Sequence, residues 1–83
     1  MQVPDHVTWK NLKSSVVVLD VNSGSYHLFN ETAATVWRSL VKGETREEMA
    51  KALLSEYDCT LEQARADTDE LLAYLLKKRL VAS

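Results

Sequence analysis

The first third of the 83-residue chain carries the short, β-branched segments that are typical of strands. Alternation of Val7 and Trp9 with polar neighbours predicts a first strand over 3–10. The valine-rich segment that follows favours a pleated backbone and predicts a second strand over 15–21. After a cluster of turn-forming residues, a third strand is predicted over 26–29. The three strands should form an antiparallel sheet, the last two as a hairpin.

The rest of the chain has helical spacing with clear start and stop signals. Asn30 is a good N-cap, and Gly43 is a plausible residue at which the first helix ends. The sequences Thr-x-x-Glu at 45–48 and Thr-x-x-Gln at 60–63 both predict capping boxes, which open helices. Helices are therefore predicted over 31–42, 46–57 and 61–78.

Three strands followed by three helices predict one α+β domain over 1–83. The second and third helices have the spacing of a helix-turn-helix, and the sheet in front of them gives a winged-helix-like arrangement. A winged helix raises the possibility of DNA binding. The charges argue against it, because 44–70 holds nine acidic and three basic residues, whereas affinity for phosphates needs a basic face.

Few residues in the chain are suited to catalysis. His6, His27 and Cys59 are scattered, and the chain has no glycine-rich phosphate loop, so we expect no catalytic residue, no metal and no cofactor. One cysteine cannot form an internal disulfide, which fits a reducing compartment. The N-terminus lacks the apolar core of a signal peptide, and no apolar run is long enough to span a membrane. We therefore expect a cytoplasmic protein without membrane association.

The third predicted helix is apolar over more of its circumference than one core stripe needs. Its leucines at 71, 72, 75 and 76 are joined by Tyr74. One interpretation is ordinary core packing in a small domain. The other is a groove beside an exposed strand edge, where an extended peptide adds as a further strand and seats alternate side chains against the helix.

A longer pattern resembles a known family. The segment 18–37 contains Tyr-His-Leu-Phe-Asn-Glu-Thr-Ala after a turn, and later come Gly43, Tyr57, Asp67 and the leucines up to Leu80. Together these features resemble the PqqD-like family of small peptide-binding domains, the RiPP recognition elements. The resemblance covers about 14–82. Two departures are the lack of any proline after Pro4 and Arg79 in place of a frequent glycine.

The resemblance implies a non-catalytic domain that binds the leader peptide of a ribosomally made precursor. The leader would add beside the third strand and contact the third helix, where Asp67 matches a recurrent acidic position. The residues expected to bind the peptide are Tyr26, His27, Leu28, Phe29, Asp67, Leu71 and Tyr74. A competing flank of the same helix carries Arg65, Asp69, Leu72 and Leu76.

The short, stand-alone form is most similar to the members that serve lasso peptide biosynthesis, which pass the bound precursor to a separate leader peptidase. Three alternatives remain open. One is another peptide-modification pathway such as pyrroloquinoline quinone biosynthesis, and a second is a winged-helix DNA-binding regulator. The third is a dimerisation module that pairs its exposed edge with a second copy. We expect a monomer or a weak dimer that does not bind nucleic acid.

Overall fold

A computed structural model describes residues 1–82, so Ser83, the last residue of the predicted domain, lies outside the described residues. Three strands precede three helices, as the sequence predicted, and the α+β class is confirmed. The elements are β1 (Val7–Leu12), β2 (Ser15–Asp20), β3 (Ser25–Phe29), α1 (Glu31–Val41), α2 (Arg46–Glu56) and α3 (Leu61–Lys77).

The sheet is antiparallel, with β2 between β1 and β3. Val18 is paired with Trp9 on one side and with His27 on the other. Side chains alternate between the two faces of a strand, and buried Val16, Val18 and Phe29 mark the face that packs against the helices. The edges of this sheet are therefore β1 and β3.

The first strand begins and ends later than 3–10. Pro4 has no N–H to give to a ladder, and its carbonyl instead accepts a 3.0 Å hydrogen bond from the Val7 amide in a turn. At the other end, Leu12 pairs with Ser15 across a two-residue turn. Asn11 and Leu12 are therefore part of the first strand, and the turn is confined to 13–14.

Side-chain caps open all three helices, but one capping box is incomplete. The Asn30 side chain accepts from the Ala33 amide, and the reciprocal bonds of the Thr45 box are both present. The Thr60 hydroxyl accepts from the Gln63 amide as predicted. The Gln63 side chain does not accept the return bond from the Thr60 amide; it extends instead toward Asp67, where its Nε2 donates to a carboxylate oxygen at 2.8 Å. The second predicted box is therefore half formed.

The core lies between the inner face of the sheet and the helices, around Trp37, which is 0% exposed. Trp37 meets the rings of Trp9 and Phe29 at centroid distances of 6.2 and 6.0 Å. After α3 the chain turns at Arg79, which has φ of 58°, and Leu80 is then buried against the core. A left-handed residue after the helix is what a Schellman cap requires, and glycine adopts it with less strain than arginine.

Over residues 1–82, every helix is too short or too polar to cross a lipid bilayer.

Candidate peptide-binding groove

A cavity of about 620 Å³ lies where the end of β3, the start of α1 and the middle of α3 meet. All seven residues that the sequence singled out for peptide binding border it: Tyr26, His27, Leu28, Phe29, Asp67, Leu71 and Tyr74. We call this cavity the β3–α3 groove. The fold has brought together one strand and one helix face that lie about forty residues apart in sequence.

One side of the groove is an open strand edge. β3 pairs with β2 along one edge, and no strand of residues 1–82 pairs with the other. In an antiparallel strand, successive residues direct their backbone N–H and C=O groups to opposite edges. Every second residue of β3 therefore offers an unpaired donor and acceptor to a strand that approaches from outside.

Tyr74 connects this strand to the helix. Its hydroxyl lies 2.6 Å from Nδ1 of His27, and the two rings meet edge to face with centroids 5.7 Å apart. The Phe29 ring also meets Tyr74 edge to face, at 6.2 Å. The ammonium of Lys78 lies 5.9 Å from the centroid of the Tyr74 ring. These contacts fix the separation of β3 and α3, and with it the width of the groove.

The floor of the groove is apolar. It is formed by side chains from three helices, and Val36 and Leu53 are almost fully buried there. Leu71 is half-buried and packs against the core from the α3 wall. Such a floor favours an aliphatic or aromatic side chain from a ligand, because binding removes apolar surface from water.

The rim of the groove is acidic. Asp67 and Glu70 stand on the α3 side, and no lysine or arginine lines this cavity within the described residues. Asp67 is held toward the rim by the amide of Gln63, one helical turn earlier. Two carboxylates without a basic partner favour a ligand that carries positive charge or hydrogen-bond donors at this point.

The competing flank of α3 faces another element. Arg65 donates to the Glu47 carboxylate of α2 at 2.7 Å, and Asp69 is paired with Arg46, also of α2. The hydrogen bond from Arg65 lowers the pKa of Glu47, and that from Arg46 lowers the pKa of Asp69. Of the other two residues on this flank, Leu72 is buried and Leu76 is 41% exposed. The structure therefore places Arg65 and Asp69 in exposed ion pairs that bridge α2 and α3.

The side chains of Tyr26 and Leu28 do not enter the groove. They are 74% and 70% exposed and lie on the face of the sheet that points away from the helices. What these two residues offer the groove is the backbone of β3. His27 and Phe29 alternate with them and carry the side chains that face α3.

Sequence reasoning missed the contribution of the other two helices. The first turn of α1 and one leucine of α2 complete the groove, and no local pattern marks them. The predicted Asn30 cap pointed to part of this contribution, because it places the start of α1 directly after the end of β3. The residues concerned are Asn30, Thr32, Ala33, Val36 and Leu53, and Glu70 of α3 was missed as well.

Within the part of the chain that the structure describes, no three His, Cys, Asp or Glu side chains are grouped so as to hold a metal ion. Cys59 is half-buried and packs against the core cluster.

Comparisons with known proteins give a consistent result. A family model described as "Coenzyme PQQ synthesis protein D (PqqD)" matches residues 15–81. A search of curated protein sequences finds no match. The chain is similar to the solved structure "TbiB1 in Complex with the TbiA(beta) Leader Peptide", with 25% identity and a TM-score of 0.93 over 100% of this chain and 96% of the other. It is also similar to "Lasso peptide synthetase B1 complexed with the leader peptide", with 28% identity and a TM-score of 0.85 over 99% and 95% of the two chains.

Proposed function

Because the chain belongs to the PqqD family, as its resemblance predicted, we propose that it recognises the leader peptide of a ribosomally made precursor in lasso peptide biosynthesis. The observation that carries this proposal is the β3–α3 groove, in which an open strand edge lies beside an apolar floor. Two proteins with nearly the same fold are known in complex with leader peptides.

In the proposed mode, the leader binds as a fourth strand beside β3. Backbone hydrogen bonds to β3 supply affinity that depends little on sequence. Alternate side chains of the leader enter the groove and pack against Val36, Leu53 and Leu71, so the groove reads apolar residues at every second position. The carboxylates of Asp67 and Glu70 favour a basic residue of the leader near the rim.

The protein performs no chemistry on the peptide in this proposal. It holds the leader and presents the rest of the precursor to a separate leader peptidase, without a metal or cofactor. A monomer or weak dimer suffices, because a single chain supplies all the residues that line the groove.

Pyrroloquinoline quinone biosynthesis is the second candidate pathway. The description of the matching family model favours it. The two similar solved structures favour lasso peptide biosynthesis, since one is a lasso peptide synthetase component. Both pathways use the same groove in our proposal, so titration with leader peptides from each pathway separates them.

The decisive experiment places proline at two adjacent positions of β3. Of His27 and Leu28, one directs its backbone N–H to the open edge and the other to β2. Proline removes that N–H. We expect one of the variants His27→Pro and Leu28→Pro to weaken leader binding about tenfold or more while remaining folded, and the other to lose stability because it breaks the β2–β3 ladder.

Binding is measured by calorimetric titration with a synthetic leader peptide, and folding by thermal melting. A scrambled leader of the same composition is the control for nonspecific association. If the folded fractions of His27→Pro and of Leu28→Pro both bind the leader as tightly as the wild type, the leader does not add as a strand beside β3.

A further inference from the structure

One face of α3 carries four side chains of different character in a fixed order. Asp67, Leu71, Tyr74 and Lys78 follow one another at steps of four, three and four residues, so they lie in line along the helix. The first three border the β3–α3 groove, and the ammonium of Lys78 lies 5.9 Å from the centroid of the Tyr74 ring. We call these four residues the α3 stripe. From one end to the other, the stripe is acidic, apolar, aromatic and basic.

The stripe is about as long as the strand beside it. Asp67 and Lys78 lie eleven residues apart, which is roughly 16 Å at about 1.5 Å per residue. The five residues of β3 span a similar distance at roughly 3.3 Å per residue. A leader segment of the same length therefore passes both ends of the stripe. Its first, third and fifth side chains point toward α3, because side chains alternate along a strand.

The direction of α3 relative to β3 follows from contacts at the C-terminal end of the helix. Nε2 of His6, which directly precedes β1, lies 3.1 Å from the carbonyl oxygen of Arg79. The strand register pairs the first residue of β1 with Asp20, and Asp20 with Ser25. The basic end of the stripe therefore lies where β3 begins. Its acidic end lies where β3 ends and α1 starts.

The charges at the two ends of the stripe have no charged partner inside the described chain. Both ion pairs within residues 1–82 join α2 to the competing flank of α3, and neither includes Asp67 or Lys78. The hydrogen bond to Asp67 comes from the uncharged amide of Gln63. Lys78 is exposed, and its contact with the Tyr74 ring holds the ammonium at the end of the groove. Each end can therefore pair with an opposite charge on a ligand.

We propose that the α3 stripe selects a leader with a basic, an apolar and an acidic residue at alternate positions, and that the charges fix the direction in which the leader adds to β3. This inference rests on the proposed function. The basic residue pairs with Asp67, the apolar one packs on Leu71, and the acidic one pairs with Lys78. All neighbouring strands of the sheet are antiparallel. In a leader that continues this pattern, the basic residue comes first and the acidic residue four positions later.

Charge order selects one direction because the reversed order brings like charges together. One exposed ion pair contributes little affinity, but exchange of the two charged residues replaces two attractions with two repulsions. The backbone hydrogen bonds and the apolar contact do not depend on the charges. The preference should therefore weaken in salt, which screens exposed charges over roughly 10 Å at 0.1 M.

The test uses three synthetic leader peptides that differ only in charge order. The apolar residue that enters the groove is first located as the position where alanine weakens binding most. The residues two before and two after it are then made Lys and Asp, Asp and Lys, or Asn and Asn. Each peptide is titrated into the wild type, Lys78→Asp and Asp67→Lys/Lys78→Asp, at low and high salt. Lys77→Asp is the matched control, because the neighbouring residue lies about 100° around the helix.

At low salt, we expect the wild type to bind the Lys/Asp peptide about tenfold more tightly than the Asp/Lys peptide, with Asn/Asn between them. Lys78→Asp should lose most of this preference, and Lys77→Asp should keep it. Asp67→Lys/Lys78→Asp should prefer the Asp/Lys peptide. Such a reversal is specific to charge pairing, because a damaged fold would weaken the binding of all three peptides.

Three results would overturn this inference alone. They are equal binding of the three peptides by the wild type, a wild-type preference for Asp/Lys, and a preference that the double variant does not reverse. Loss of the preference in Lys77→Asp to the same extent as in Lys78→Asp would assign it to the overall charge of the helix end, and would also overturn the inference. Failure of the wild type to bind any leader would overturn the proposed function, and this inference with it.

Discussion

The two flanks of α3 have opposite surroundings although they share one helix. On the α2-facing flank, Arg65 and Asp69 are both paired with charged residues of α2. On the groove-facing flank, Asp67 and Glu70 stand at a cavity that no lysine or arginine of residues 1–82 lines, and Leu71 is only half-buried. The α2-facing flank is already satisfied within the chain, and the groove-facing flank has unused binding capacity.

This difference separates residues that stabilise the fold from residues that bind a ligand. Exposed ion pairs contribute little stability, but they occupy the groups that form them and align α2 with α3. An apolar wall next to an unpaired strand edge contributes less to folding than it can contribute to binding. Substitutions on the α2-facing flank should therefore change stability, and substitutions on the groove-facing flank should change the affinity for the leader.

The largest effects are expected when a leucine is shortened to alanine, either in the core or at the groove. The two positions should lose different properties. Leu75 is fully buried, so Leu75→Ala should lower the free energy of unfolding by about 2–5 kcal/mol. Leu71→Ala, one turn earlier at the groove, should cost less stability and weaken leader binding about tenfold. Urea unfolding and leader titration on both variants give the comparison. Equal losses of affinity among the folded molecules would show that the core and groove positions of α3 do not divide these roles.

A smaller effect is expected for matched charge reversals. Asp67→Lys should weaken binding of the leader about two- to fivefold and leave the melting temperature nearly unchanged, because it alters only the rim. Asp69→Lys should lower the melting temperature slightly and leave affinity unchanged, because it breaks the pair with Arg46. Unchanged affinity in Asp67→Lys would remove Asp67 from the site.

The smallest effect is expected from acid. The Thr45 backbone N–H lowers the pKa of Glu48, and the arginine partners lower those of Glu47 and Asp69. A carboxyl whose pKa is lower in the folded chain stabilises it above the unfolded value, ordinarily 4.5 for Glu and 3.8 for Asp, and loses that contribution as pH falls further.

The melting temperature should therefore fall modestly below about pH 4.5, in step with the loss of α2–α3 contacts seen by NMR. A Glu47→Gln/Asp69→Asn variant is the control and should show a flatter acid limb. If the melting temperature of this variant falls with acid as steeply as that of the wild type, other carboxyls cause the loss of stability.

Much of the fold could be predicted because its signals are local. The valine-rich run of β2, the Asn30 cap and the Thr45 capping box act within a few residues, so the chain pattern contains them. The first strand was placed too early: Val7 and Trp9 do alternate within β1, but Pro4 and the turn that follows it prevent pairing before Val7. The second capping box is only half formed because the Gln63 side chain extends toward Asp67 and not toward the Thr60 amide.

The candidate site was predicted in part. The resemblance supplied Tyr26 to Phe29 and the acidic position of α3, and the helical period supplied Leu71 and Tyr74 from Asp67. The helical spacing could not show which flank of α3 faces the groove, since both flanks carry leucines and charged residues at similar spacing. The choice depended on which neighbouring element carried the matching arginine and glutamate.

By itself, the sequence determined the order of strands and helices, the family and the acidic character of the helical half, because each depends on residue identity or on neighbours along the chain. Only the tertiary structure decided that α1 and α2 complete the groove, that Arg65 and Asp69 are already paired, and that Tyr26 and Leu28 face away from the helices. These facts depend on distances between residues that lie far apart in sequence, which packing of the core sets and which no local pattern records.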